Sequence, residues 1–107
     1  MLVSRRENQT AHDMCVEKLA RRLSLDGWMV EAQVSGWPKP AYIGEFIPDI
    51  RARRNDGTMI IEVETEDTIV SDADQQDAFR RYAAETPGVV FFLYLAKDDL
   101  TCVYIKE

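Results

Sequence analysis

The sequence predicts an α/β protein in which helices flank a mixed central sheet. Three observations carry that expectation. Apolar residues recur with helical spacing between Ala11 and Leu25. A turn signal, Asn55-Asp56-Gly57, separates two runs patterned as strands. A continuous apolar run, Val89 to Leu95, is bounded by turn residues, as expected of a strand covered on both faces. At 107 residues, without repeats, low-complexity tracts or linkers, the chain reads as a single domain over 1–107.

The first helix is expected over Ala11–Leu25, capped by Thr10, with Asp13 near its positive N-terminal end. Cys15, Val16, Leu19, Ala20 and Leu23 form its apolar stripe, and Gly27 ends it. Trp28 to Val34 reads as a strand. Two prolines and two glycines between Ser35 and Gly44 read as a loop. Phe46–Arg54 and Thr58–Thr65 are the strands of a hairpin whose turn residues, Asp56 and Gly57, want positive φ. Ser71 is placed to cap a second helix over Asp72–Glu85, with Asp74 as its capping-box partner and Phe79, Tyr82 and Ala83 on its buried face. Pro87-Gly88 stops that helix. A last strand, Thr101–Lys106, follows the Lys97-Asp98-Asp99 turn. The predicted order is α-β-β-β-α-β-β.

Hydrophobic residues make up 46% of the chain, enough for a core, and the 30% that are charged suit a solvated surface. No apolar run approaches the roughly 20 residues of a membrane span, and the N-terminus lacks the pattern of a secretory signal. Cys15 and Cys102 show no CxxC or Cys/His zinc spacing, and free buried thiols in a reducing cytoplasm are their simplest reading. The expected location is therefore cytoplasmic, with no membrane partner. A net charge of −6 disfavours non-specific nucleic-acid binding, because Lys and Arg supply most of that affinity. The arginines nevertheless cluster in pairs, and the acids gather between Glu62 and Asp77.

A turn at Asp56-Gly57 closed by Asn55 and Thr58 sets Arg51 opposite Glu62 and Asp49 opposite Glu64. Side chains alternate, so Asp49, Arg51 and Arg53 share a face with Ile60, Glu62 and Glu64, while Ile50, Ala52, Ile61 and Val63 share the core face. Facing carboxylates destabilise a sheet unless something neutralises them, which a hard divalent cation does directly. The alternative is that Arg51 pairs with Glu62 and solvent screens the rest.

Pro48-Asp49, followed by Glu62-Val63-Glu64 at the end of an apolar strand, resembles the signature of the PD-(D/E)XK nuclease superfamily. The order αβββαβ of that superfamily's restriction-endonuclease-like core fits the chain from its first helix to Leu95. Glu17-Lys18-Leu19-Ala20, with Leu23 and Gly27-Trp28, is similar to the opening of small archaeal Holliday-junction-resolvase-like members. Gln75-Gln76 and Arg80-Arg81-Tyr82 resemble the glutamine- and tyrosine-bearing helix beside the family's active site. The departure is Glu64, which stands where the pattern has lysine.

The resemblance implies metal-dependent phosphodiester hydrolysis, with DNA as the expected partner, Mg2+ or Mn2+ as the cofactor and a homodimer as the expected assembly. Asp49 and Glu62 would hold the ion, with the Val63 carbonyl and Glu17 as further ligands. Glu64 would bind the ion or act as base toward an activated water. Arg51 would supply the missing positive charge, and Gln76 would support the site. A non-cleaving member of the same fold, serving as a binding or assembly module, is the alternative that Glu64 and the acidic charge leave open. His12, the only histidine, reads as a surface or cap residue in the first turn of its helix. Trp37 reads as a loop anchor, or with Lys39 and Tyr42 as a flap.

Overall fold

The computed structural model describes residues 5–105. Its elements run α1 (Arg5–Leu25), β1 (Met29–Ala32), β2 (Ile50–Arg54), β3 (Gly57–Glu64), α2 (Ala73–Glu85), β4 (Val89–Ala96) and β5 (Cys102–Ile105). The five strands form one mixed sheet in sequence order; β3 and β4 are parallel and every other pair is antiparallel. The parallel pair forces a crossover between β3 and β4, and α2 makes it. The predicted order of elements is the observed one. Lys106, the predicted end of the last strand, lies outside the described residues.

Helix α1 runs back through Thr10, so Thr10 is not its cap. The reason is local: Arg5 to Thr10 contains good helix formers, and Gln9 donates to Asp13 one turn on at 3.0 Å. At its other end the Trp28 N–H reaches the Leu23 carbonyl and the Gly27 N–H that of Ser24. Gly27 has φ +92°, the left-handed residue such a helix end needs. Ala11, Cys15, Val16 and Ala20 are buried against Ala32, Ile50, Ala52, Ile61 and Val63 on one face of the sheet. On the opposite face Phe79 of α2 is fully buried, with its ring 6.1 Å from Phe91 and 6.4 Å from Phe46. The capping box at Ser71 does not form: Ser71 bonds the Thr68 carbonyl, and Asp72 is the N-cap residue. The middle strand is β3, buried from Ile60 to Glu64, while Val90 of β4 is exposed.

The hairpin register differs from the predicted one by two residues. Arg54 pairs with Gly57, so Asn55 and Asp56 form the loop, and Arg51 stands opposite Ile60. Neither loop residue has positive φ. Gly57 serves packing: a Cβ there would lie 3.2 Å from the Gly88 carbonyl oxygen, which accepts the Thr58 N–H at 2.8 Å. A shift of two keeps every side chain on its predicted face.

The cysteines are paired. Cys15 of α1 and Cys102 of β5 form a disulfide with their Cα atoms 5.5 Å apart, which replaces the expected free thiols and withdraws the argument from them to a reducing compartment. It closes a loop spanning 87 residues of sequence. Reduction, or Cys15→Ser with Cys102→Ser, is expected to cost about 2–4 kcal/mol by freeing the unfolded chain. The readout is the urea midpoint, and an unchanged midpoint would mean the bond constrains nothing. Among the described residues no helix is long and apolar enough to cross a membrane.

Candidate functional site

Asp49 occupies the last position before β2, and three groups hold it there. Gln33, just beyond β1, donates its side-chain amide to the Ile47 and Pro48 carbonyls at 2.9 and 3.1 Å, and its N–H to the Asp49 carbonyl at 2.9 Å. The Asp49 N–H donates to Glu62 Oε1 at 3.0 Å, and the Val63 N–H donates to Asp49 Oδ2 at 2.8 Å. These bonds continue the β2–β3 ladder one step past its regular end, so that Asp49 sits beside Glu62.

Asp49, Glu62 and Glu64 then line one cleft of about 440 Å³ together with His12, Asp72 and Gln75. All three carboxylates are buried, at 6%, 2% and 1% exposure. Burial and the neighbouring Asp49 charge push the Glu62 carboxyl far above its usual range. Burial likewise raises Glu64, to about 7, with the Thr68 hydroxyl opposing and Asp72 assisting. Glu64 Oε1 is buried without a hydrogen-bond partner. No lysine or arginine among the described residues lines the cleft.

His12 is the histidine that sequence reasoning set aside. Its Nε2 lies 3.2 Å from Asp49 Oδ2 and its Nδ1 2.9 Å from Asp13 Oδ1. Burial pulls its pKa down, but the hydrogen bonds and charges of Asp49 and Asp13 win and raise it to about 9. It is therefore an imidazolium at neutral pH, and it neutralises Asp49. The predicted helix start put His12 in the first turn. With α1 beginning at Arg5, His12 stands mid-helix beside the buried Ala11.

Other predicted residues lie elsewhere. Glu17 does not reach the cleft: it accepts Arg21 at 2.8 Å and the Trp37 indole N–H at 2.7 Å, and those bonds lower its pKa. Trp37 is thereby a loop anchor, while Tyr42 is exposed. Arg51 does not pair with Glu62. It lies 4.0 Å from Glu31, whose carboxylate it shares with Arg53 at 3.8 Å. Gln76 is buried and donates to the Ile69 carbonyl at 2.9 Å, pinning the loop before α2. Its neighbour Gln75 is the one that reaches the cleft, donating to Glu62 Oε2.

Compared with family models, curated proteins and solved structures, the chain matches none.

The donor set suits a hard cation: carboxylates from Asp49, Glu62 and Glu64, one of them with an unpartnered oxygen, and no sulfur. As the side chains stand, no three His, Cys, Asp or Glu groups among the described residues are close enough to hold an ion. Asp49 spends one oxygen on His12 and the Val63 N–H, and Glu62 is held by the Asp49 N–H and Gln75. An ion shared by Asp49 and Glu62 would compete with His12 and Gln75 for their oxygens.

Proposed function

We propose that the protein is a metal-dependent nuclease with a restriction-endonuclease-like core, acting on phosphodiester bonds of DNA. The observation that supports this reading most is the burial of Asp49, Glu62 and Glu64 in one cleft with an orphaned carboxylate oxygen and no lysine or arginine lining it. Structural carboxylates buried this deeply are normally paired; here His12 answers Asp49, while Glu64 keeps an oxygen that no protein group meets. The order of elements and the Pro48-Asp49…Glu62-Val63-Glu64 pattern agree with that fold.

In this scheme Asp49 and Glu62 would hold Mg2+ or Mn2+, with the Val63 carbonyl as a further ligand. Such an ion would supply positive charge against the scissile phosphate and lower the pKa of a bound water. Glu64, raised to about 7, would take the proton from a water that attacks the phosphorus, as the P–O bond to the leaving alkoxide breaks and that oxygen is protonated from solvent. Gln75 orients Glu62, and His12 balances the Asp49 charge from α1. Arg51 and Arg53 stand on the strand face that carries Asp49 with one carboxylate, Glu31, between them. Their surplus positive charge suits a polyanionic chain.

Purified protein is expected to cleave linear, nicked or four-way-junction DNA with Mg2+ or Mn2+, and not with EDTA. Asp49→Ala is expected to reduce the rate at least about 100-fold. Equal cleavage by the variant would sink the scheme. The His12–Asp49 pair favours a second reading, a non-cleaving binding module in which imidazolium stands where a cation would sit. Folded protein that cuts no substrate with either metal would select it.

A further inference from the structure

The sheet has two outer strands, and their free edges are finished differently. Along β1 the Ala32 N–H donates to the Pro38 carbonyl at 2.8 Å, so the loop after that strand turns back over its edge. Among the described residues nothing covers β5 in this way. The Lys97 N–H donates to the Thr101 carbonyl at 2.9 Å, which makes these two a hydrogen-bonded pair. Antiparallel pairs alternate, so Leu95–Val103 and Leu93–Ile105 are bonded likewise, and Cys102 and Tyr104 turn their N–H and C=O groups outward. Cys102-Val103-Tyr104-Ile105 holds neither a charge nor a proline to guard that edge. The sheet face beside it is open too. Between α1 and β5 runs a groove of about 640 Å³ lined by Leu19, Leu23, Met59, Phe92, Tyr94 and Tyr104. The Tyr104 ring lies 5.8 Å from that of Phe92 and 5.6 Å from that of Tyr94. Lys18 and Arg22, exposed and one turn apart on α1, stand on the groove's lip. Arg21 is paired with Glu17, but among the described residues neither Lys18 nor Arg22 enters an ion pair. Asp26 is the one acid in the lining, so the groove is net positive on a chain of net charge −6.

From the bare edge, the apolar groove and the unpaired cations we propose that β5 is a docking site for an extended acidic peptide of a partner protein. The peptide adds to the sheet as a further strand, bonding the outward N–H and C=O groups of Cys102 and Tyr104. Its side chains alternate, so every second one faces the groove. An apolar residue enters among the aromatic rings, and an acidic residue two positions along meets Lys18 or Arg22. A second copy of this chain answers the site less well. Its β5 brings no acid, and a two-fold pairing leaves the cations of both copies unmet. The groove shares no lining residue with the carboxylate cleft, so this proposal stands apart from the nuclease reading.

The probes are fluorescein-labelled octapeptides in which threonine alternates with valine, phenylalanine and glutamate. A second set carries lysine for glutamate, and a third is N-methylated at alternate amides so that it cannot pair with a strand. Binding to the intact protein is read by fluorescence anisotropy and by amide chemical shifts. The glutamate peptides are expected to bind and to shift Cys102, Tyr104 and Lys18. Lys18→Glu with Arg22→Glu is expected to weaken them roughly tenfold or more. N-methylation is expected to weaken them by about tenfold as well. Tyr104→Pro removes one outward N–H at an edge, where proline is tolerated, and is expected to act the same way. Circular dichroism checks each variant. The charge reversal lies on exposed helix positions, so it tests the site even if Tyr104→Pro fails to fold. No binding by the glutamate peptides, equal binding by the lysine set, or no loss on N-methylation would overturn the proposal. So would sedimentation that finds a dimer dissociated by Tyr104→Pro, because the edge would then belong to a second copy.

Discussion

Phe79→Ala is expected to remove about 3–5 kcal/mol of unfolding free energy. The ring is fully buried on the face of the sheet opposite α1, where it contacts Phe91 of β4 and Phe46 of the segment that leads into Pro48-Asp49. Among the described residues it is the largest side chain buried so completely. Truncation loses the transfer energy of the ring and opens a cavity that α2 cannot collapse into, because its backbone is held by β4 on one side and the Gln76–Ile69 bond on the other. A domain of this size holds about 5–15 kcal/mol in total, so the variant sits close to its own unfolding transition. The consequence reaches the cleft, since α2 carries Gln75 and begins at Asp72, and Phe46 steadies the approach to Asp49. Urea unfolding of Phe79→Ala and of Phe79→Leu measures this, with leucine expected to lose roughly half as much or less. If Phe79→Ala stayed within about 1 kcal/mol of wild type, helix–sheet packing would have to rest on other residues.

What was legible in the sequence followed from strict periodicity. Strand side chains alternate, so the pairing of Asp49, Glu62 and Glu64 on one face, and Ile50, Ala52, Ile61 and Val63 on the other, survived an error in register. The register itself was misread because Gly57 was credited to the turn. Its actual constraint is the Gly88 carbonyl, a neighbour distant in sequence and invisible to local pattern. The same limit explains the cysteines. Whether Cys15 and Cys102 meet depends on β5 lying under α1, which no spacing rule states. His12 was lost through a helix boundary: six residues of extra helix moved it from a cap to a flank of the core. Glu17 was drawn from resemblance alone, and the indole of Trp37 had already claimed it. Gln75 and Gln76 are adjacent, and only the phase of α2 against the sheet decides which faces the cleft.

The protein without metal is expected to lose stability as pH rises from about 5 to about 9, and Glu62→Gln is expected to remove a large part of that loss. Three cleft groups have folded-state pKa values above their unfolded ones: Glu62 and Glu64 from 4.5, Glu64 to about 7, and His12 from 6.5 to about 9. Within each window the native state binds more protons than the unfolded chain, so stability falls with rising pH. The contribution is complete below about pH 4.5 for the glutamates and is lost as pH climbs toward the folded values. Glu17 and Asp99 have lowered values and act with the opposite sign, but only on the acid side of the window. Glutamine at 62 removes the charge as protonation does: its oxygen still accepts the Asp49 N–H, and its amide takes the place of Oε2, where the Gln75 amide turns to accept from it. The variant is therefore expected to match wild type near pH 5 and to exceed it by roughly 1–3 kcal/mol at pH 8. It should also forfeit the stabilisation that Mn2+ gives wild type, since ion binding requires the ionised form. Melting curves from pH 5 to 9, in EDTA and in Mn2+, read both effects. A wild type more stable at pH 8 than at pH 5 in EDTA, or a glutamine variant that gains nothing, would mean that Glu62 is charged and satisfied in the native protein. That result would remove the electrostatic demand on which the metal assignment stands.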